Sequence, residues 1–256
     1  MSMSLGKKIS IFFVFLFLIP FFIFLSVEFS NFKNEALYPI FYQISEGIAL
    51  IIAVYYFLKI EKKWRGWLGW FLVVLSLVFL FIADSIWNFY AIFRGEEAPF
   101  PGISDIFYVL FYVFAFVFLV YFIRLLKLEF DPSEKFFISI IFLVIFVLLL
   151  QGILISIFGS KEMDFWEKFL NIFYILGDFV LILLAFMLLM KLWGGKVAKN
   201  YIYFVLALSL TTIADVIFVY IFKNYGISNW ADLFYLASFL LLACAIISES
   251  LLHISK

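Results

Sequence analysis

Histidine and cysteine each occur once in the 256 residues, as His253 and Cys244, and charged side chains make up only 14% of the chain. A lone histidine at the very end of the last apolar stretch, far from the acids discussed below, argues against Ser-His-Asp or Cys-His catalysis. It also excludes membrane hydrolases whose zinc is held by several histidines; as a residue, His253 reads as interfacial. A single cysteine inside an apolar run gives no disulfide framework and reads as core packing. The twelve glycines and five prolines build neither a linker nor a phosphate-cradling loop, and no nucleic-acid signature is present. No soluble domain interrupts the chain, so any activity resides in its apolar part.

Apolar residues are what the sequence has: 67% hydrophobic, 23% aromatic, mean hydropathy +1.18. That composition makes lipid the solvent for most of the chain, a single membrane domain over 1–256. Eight apolar runs are each long enough to cross a bilayer core of about 30 Å as a helix. They are Ile9 to Val27, Leu37 to Leu58, Trp67 to Phe93, Ser104 to Leu126, Phe136 to Phe158, Phe169 to Leu192, Tyr201 to Phe222 and Trp230 to Leu252. The runs are continuous rather than alternating, which selects helices over a barrel, so the fold class is all-α with eight transmembrane helices. Lys7 and Lys8 before the first run could open a secretory signal, but no small-x-small cleavage site follows, and the run is retained as a helix.

Basic residues near helix ends stay preferentially in the cytoplasm. Alternate connections hold thirteen Lys or Arg on one side and five on the other (Lys33, Arg94, Lys161, Lys168 and Lys223). Both termini are therefore expected in the cytoplasm of a multi-pass cell-membrane protein. The net charge of zero hides this asymmetry, since Glu28, Glu35, Glu96, Glu97, Glu162, Asp164 and Glu167 lie on the outer side.

The chain also repeats itself. Tyr42-x-x-x-Glu46 followed by Lys59 matches Tyr174-x-x-x-Asp178 followed by Lys191; Ile82-Ala83-Asp84 matches Ile213-Ala214-Asp215; Asp105-Ile106-Phe107-Tyr108 matches Asp232-Leu233-Phe234-Tyr235. The offset drifts only from 132 to 127 residues. Two four-helix repeats follow, 1–130 and 131–256, and an even number of spans per repeat makes them parallel.

Glu46, Asp84, Asp178 and Asp215 fall at one level, roughly 10 to 14 Å below the outer helix ends at 1.5 Å per residue. Each would cost roughly 2.5 to 3.5 kcal/mol unpaired at a helix centre. Protonation, pairing with a base or a hydrogen-bond donor, or a bound cation are the three remedies. The nearest bases are Arg94 and Lys223. Tyr42, Tyr174 and Asn88 share helix faces with Glu46, Asp178 and Asp84 at four-residue spacing and are the expected donors. Oxygen-only surroundings would suit a hard divalent cation, and no other cofactor is implied. Asp105 and Asp232 stand at N3 of their helices, three residues after Gly102 and Asn229, where a carboxyl can cap the helix start; with Tyr108, Tyr235 and Arg94 they would form a cavity mouth. Plain interhelical packing bonds are the competing explanation for all six acids.

The combination of Asp84, Pro99-Phe100-Pro101, Ser104-Asp105-Ile106-Phe107-Tyr108, Gly177-Asp178, Asp215 and Ala231-Asp232-Leu233-Phe234-Tyr235 resembles a known family. It is similar to the eight-helix sensory region found N-terminal to bacterial diguanylate cyclases, phosphodiesterases and some histidine kinases, a likeness covering Leu37 onward. The resemblance implies signal input with a ligand that is generally undefined. This sequence ends four residues after Leu252, so an output protein or complex subunit would have to carry the signal. The expected function is a stand-alone membrane sensor or receptor-like module that binds a cation or small polar ligand in an outward acidic cavity between the repeats. A cation or proton-coupled transporter using the same acids is an alternative. So is a membrane lipid hydrolase with paired carboxylates, since Gly177-Asp178 and a further Asp on the next helix are similar to the lysoplasmalogenase family; a purely structural subunit is a fourth reading. The expected partners are the bilayer and such an output protein, not nucleic acid.

Overall fold

In lipid a backbone amide has no water to bond, so each apolar run must satisfy its own peptide groups, and it does so as helix. The computed structural model describes residues 5–29, 36–149, 155–160, 163–195, 197–221 and 229–254. Nine α-helices follow in order among them: α1 (Leu5–Phe29), α2 (Leu37–Phe57), α3 (Trp67–Phe89), α4 (Ile103–Leu125), α5 (Pro132–Leu149), α6 (Ile155–Gly159), α7 (Phe165–Leu192), α8 (Ala198–Ile221) and α9 (Trp230–Ile254). Seven of these, all but α5 and α6, provide spans long and apolar enough to cross a membrane. The chain is thus an all-α, multi-pass membrane protein. The expected fifth span, Phe136 to Phe158, is represented by α5 and α6, and residues 150–154 between them lie outside the described residues, as do Lys33, Lys161 and Lys223.

Local chemistry sets the helix ends. Asp164 accepts from the Glu167 N–H while Glu167 reaches back to the Asp164 N–H, a reciprocal cap that opens α7. Pro132 occupies the first position of α5, where its missing N–H has no helical partner to lose. After α3 the chain makes one π turn, Tyr90–Arg94, and stops at Gly95, whose φ of 66° is a conformation glycine adopts without strain.

Six helices close a ring: α2 packs on α3, α3 on α4, α4 on α7, α7 on α8, α8 on α9, and α9 back on α2. Helix α1 leans on the outside of that ring against α2 and α9. Small side chains permit the close approach, as expected where packing rather than the hydrophobic effect joins helices. Ala49 and Ala53 of α2, Ala83 of α3, Ala115 of α4, Ala185 of α7 and Ala207 of α8 are fully buried. At Gly69 a Cβ would stand 2.2 Å from the Phe122 ring, so α3 and α4 touch there only because the side chain is a hydrogen. Large apolar residues point outward, among them Phe15, Ile51, Phe116 and Phe136, as suits contact with acyl chains.

One end of the ring carries the α3–α4 connection with Phe100; the opposite end carries the α2–α3 connection, where Trp64 packs on His253 with ring centroids 4.3 Å apart. His253 Nε2 lies 3.2 Å from Glu249 Oε1, and Asn200 Nδ2 donates to the other Glu249 oxygen. Glu249 is buried there, and as an acid one turn from a helix end it is satisfied by these local partners.

Candidate ligand cavity

Inside the ring, toward the Phe100 end, is a cavity of about 90 Å³. Space of that size holds several waters or a small ligand, since one water needs only about 10 to 15 Å³. Asp84, Asp105, Asp215 and Asp232 all line it, and so do Tyr42, Tyr108, Tyr174, Tyr235 and Asn88. The walls are otherwise largely aromatic, with Trp87, Phe111 and Phe218 among them.

Each of three lining acids is held by a tyrosine from a neighbouring helix. Tyr108 Oη donates to Asp84 at 2.6 Å, Tyr235 Oη to Asp215 at 2.5 Å, and Tyr174 Oη to Asp105 at 2.6 Å. The second oxygen of Asp105 accepts from the Gly102 N–H at 2.6 Å, and Asp232 accepts from the Asn229 N–H at 2.7 Å, so both acids cap the starts of their helices. Gly102 suits this turn because a Cβ there would lie 2.3 Å from the Pro99 carbonyl oxygen.

Glu46 and Asp178 do not line the cavity. They are fully buried, Glu46 beside Asp84 and Asp178 beside Asp215. Two facing carboxylates are both acceptors, and a proton between them turns repulsion into a hydrogen bond. Tyr112 Oη donates to Asp178 at 2.7 Å and lies 3.0 Å from Asp215, tying α4 to α7 and α8. Gly177 makes room for that ring, since a Cβ there would stand 2.8 Å from Tyr112 Cδ1. Neither oxygen of Glu46, nor Asp178 Oδ2, has a hydrogen-bond donor.

Several expected pairings are replaced by others. Tyr174 serves Asp105 across the α4–α7 contact rather than Asp178 on its own helix, because helical side chains lean toward the N-terminus and Asp178 lies one turn in the other direction. Asn88 donates to Gln43 Oε1 at 2.8 Å, and Gln43 Nε2 to Ser85 Oγ, so it joins α2 to α3 instead of holding Asp84. Arg94 is not at the mouth: it is solvent-exposed, 3.6 Å from Glu96 and stacked over the Tyr90 ring, where its charge stays hydrated. Among the described residues no three acidic, histidine or cysteine side chains converge as metal ligands.

Tyr112, Tyr38, Asn171, Thr211 and Ser238 line the cavity and were not anticipated. A signal existed for two of them, since Tyr112 follows Tyr108, and Tyr38 precedes Tyr42, by four residues on the same helix face. Compared with known proteins, the chain matches no family model, no curated protein and no solved structure.

Proposed function

We propose that the chain is a membrane sensor or receptor-like module of eight spans, built from two parallel four-helix repeats, and that it binds a small cation or polar ligand in this cavity. The carrying observation is that lining acids at matched sequence positions meet in one space, each accepting from a tyrosine or a helix start. Packing alone calls for polar groups that satisfy one another; it does not call for a cavity between them.

Several features support the duplication. A two-fold operation that takes α2 to α7, α3 to α8 and α4 to α9 maps the ring contacts onto one another. Tyr108 to Asp84 becomes Tyr235 to Asp215, and the Gly102–Asp105 cap becomes the Asn229–Asp232 cap. Trp87 and Phe218 occupy equivalent positions and pack on each other, centroids 6.1 Å apart, as residues beside the axis of such an operation would. The charge asymmetry of the connections favours both termini in the cytoplasm, with the cavity facing outward. The resemblance to N-terminal sensory regions of bacterial signalling enzymes points to signal input.

Thermal stability of the protein in lipid nanodiscs, scanned against small cationic and polar metabolites, tests this reading. At least one compound raises the melting temperature of the wild type but not of a variant with both Asp84→Asn and Asp215→Asn; a flat response across the panel rejects it. Flux into liposomes and turnover of lysolipids separate it from transport and from lipid hydrolysis.

A further inference from the structure

The two repeats would make the cavity two-fold symmetric if their lining residues were alike, but they are not. Thr211 on α8 corresponds to Leu80 on α3, and Ser238 on α9 to Phe111 on α4; all four line the cavity. Thr211 and Ser238 are hydrogen-bonded to each other at 2.7 Å beneath Asp215, whereas Leu80 and Phe111 are both apolar and buried. At the level of these residues one side of the space is thus polar and the other apolar, while each repeat contributes two lining acids, Asp84 and Asp105 from the first and Asp215 and Asp232 from the second. A ligand matched to it has a polar head and an apolar body.

Charge and hydrogen-bonding capacity define the head. The lining acids are acceptors and among the described residues no Lys, Arg or His lines the cavity, which favours a cation. Two further groups in the wall are buried and unpaired: Asn171, 1% exposed, whose Oδ1 has no donor, and Tyr38, 1% exposed, whose hydroxyl has no partner. Both oxygens can accept an N–H. A quaternary ammonium, having no N–H to give, would leave them unsatisfied, whereas a primary ammonium brings three donors. Aromatic faces such as Trp87 and Tyr108 attract an organic cation and also fit its hydrocarbon part.

We infer that the ligand of this cavity is a small primary amine in its protonated form, its ammonium directed to the Asp215 and Asn171 side and its apolar body to Leu80 and Phe111. This inference rests on the cavity being a ligand site and names the class of ligand. The test is isothermal titration of the full chain in nanodiscs with n-butylammonium, with 1-pentanol, tetramethylammonium and Ca²⁺ as comparison probes. Butylammonium is expected to bind at least tenfold more tightly than any of the three, and more weakly as salt rises. Asp215→Asn is expected to weaken it at least tenfold. Since that variant leaves one acceptor oxygen where two serve Tyr112 and Tyr235, the double variant Thr211→Leu, Ser238→Phe provides a second measurement. It copies the first repeat's residues and is expected to abolish the preference for the amine over the alcohol while retaining a cooperative thermal transition. Equal binding of tetramethylammonium or the alcohol, Ca²⁺ binding tighter than the amine, or an unchanged preference in the double variant overturns the inference. If butylammonium fails to bind while another compound in the stability panel does so in an Asp84- and Asp215-dependent way, the amine is wrong and the ligand site stands.

Discussion

Replacing Tyr112 by phenylalanine removes one oxygen and leaves the ring where it lies against Gly177. That oxygen donates to Asp178 at 2.7 Å and approaches Asp215 at 3.0 Å. Asp215 keeps the Tyr235 hydroxyl, but Asp178 loses its donor on Oδ1 and has none on Oδ2. Hydrogen bonds to charged groups in soluble proteins contribute about 1.5 to 3 kcal/mol, and leaving a buried acceptor unpaired costs about 1 to 3 kcal/mol. Measured interhelical bonds in a membrane average only about 0.6 kcal/mol and reach about 1.7, because the reference state finds other partners. Asp178 is fully buried, so the expected loss lies at the upper end of the membrane range, about 1.5 kcal/mol. Reversible unfolding in mixed micelles by increasing dodecyl sulfate, followed by circular dichroism, measures it. The cycle is closed with Asp178→Leu: each single variant is destabilised, and the double variant recovers at least half of the summed loss, since removing both partners abolishes the unpaired group. Additive losses, or a Tyr112→Phe effect below about 0.5 kcal/mol, would refute the assignment of that hydroxyl as a structural tie.

Under the proposed repeat, Phe239 is the counterpart of Tyr112, and Glu46, the counterpart of Asp178, has no donor on either oxygen. Phe239→Tyr is therefore expected to stabilise the protein by about 0.5 to 1.5 kcal/mol in the same assay, and destabilisation would count against the equivalence. Gly177→Ala places a methyl 2.8 Å from a buried ring and is expected to cost about 1 to 3 kcal/mol by overpacking; a neutral result would show that Tyr112 can move freely. At the far end, the hydrogen bond and charge of Lys191 hold the Glu134 carboxyl below its ordinary value of 4.5. The unfolded chain binds that proton more readily, so the contribution of this link between α5 and α7 is complete above the ordinary value and is lost as pH falls through the lowered one. Labelling rates of a cysteine introduced on α5 should rise in that acidic window with Lys191 present and be already high, with no such step, in Lys191→Met.

Much of the architecture is written in hydropathy, because twenty consecutive apolar residues in lipid have few alternatives to a helix. The acids were legible for the same reason: Glu46, Asp84, Asp178 and Asp215 stand out in an apolar background and recur at a fixed offset. Their partners were harder to read. Four-residue spacing assigns neighbours within one helix, yet Tyr174, Asn88 and Tyr112 all bond across helix contacts, and those depend on helix rotation that periodicity does not fix. The division of the acids into a lining set and a buried set follows from that rotation too. Thr211, Ser238 and Asn171 were invisible as site residues because Ser, Thr and Asn in membrane helices commonly bond their own backbone, as Thr211 and Asn171 also do.

Photolabelling of the protein in nanodiscs with a diazirine-bearing primary alkylamine, followed by peptide mapping, tests the central claim that these side chains enclose a cation site. The account predicts labels on cavity residues of α3, α4, α8 and α9, suppressed by excess butylammonium and absent when Asp84 and Asp215 are both asparagine. Labels confined to lipid-facing positions such as Ile51, Phe116 and Phe136, indifferent to competitor, would contradict it.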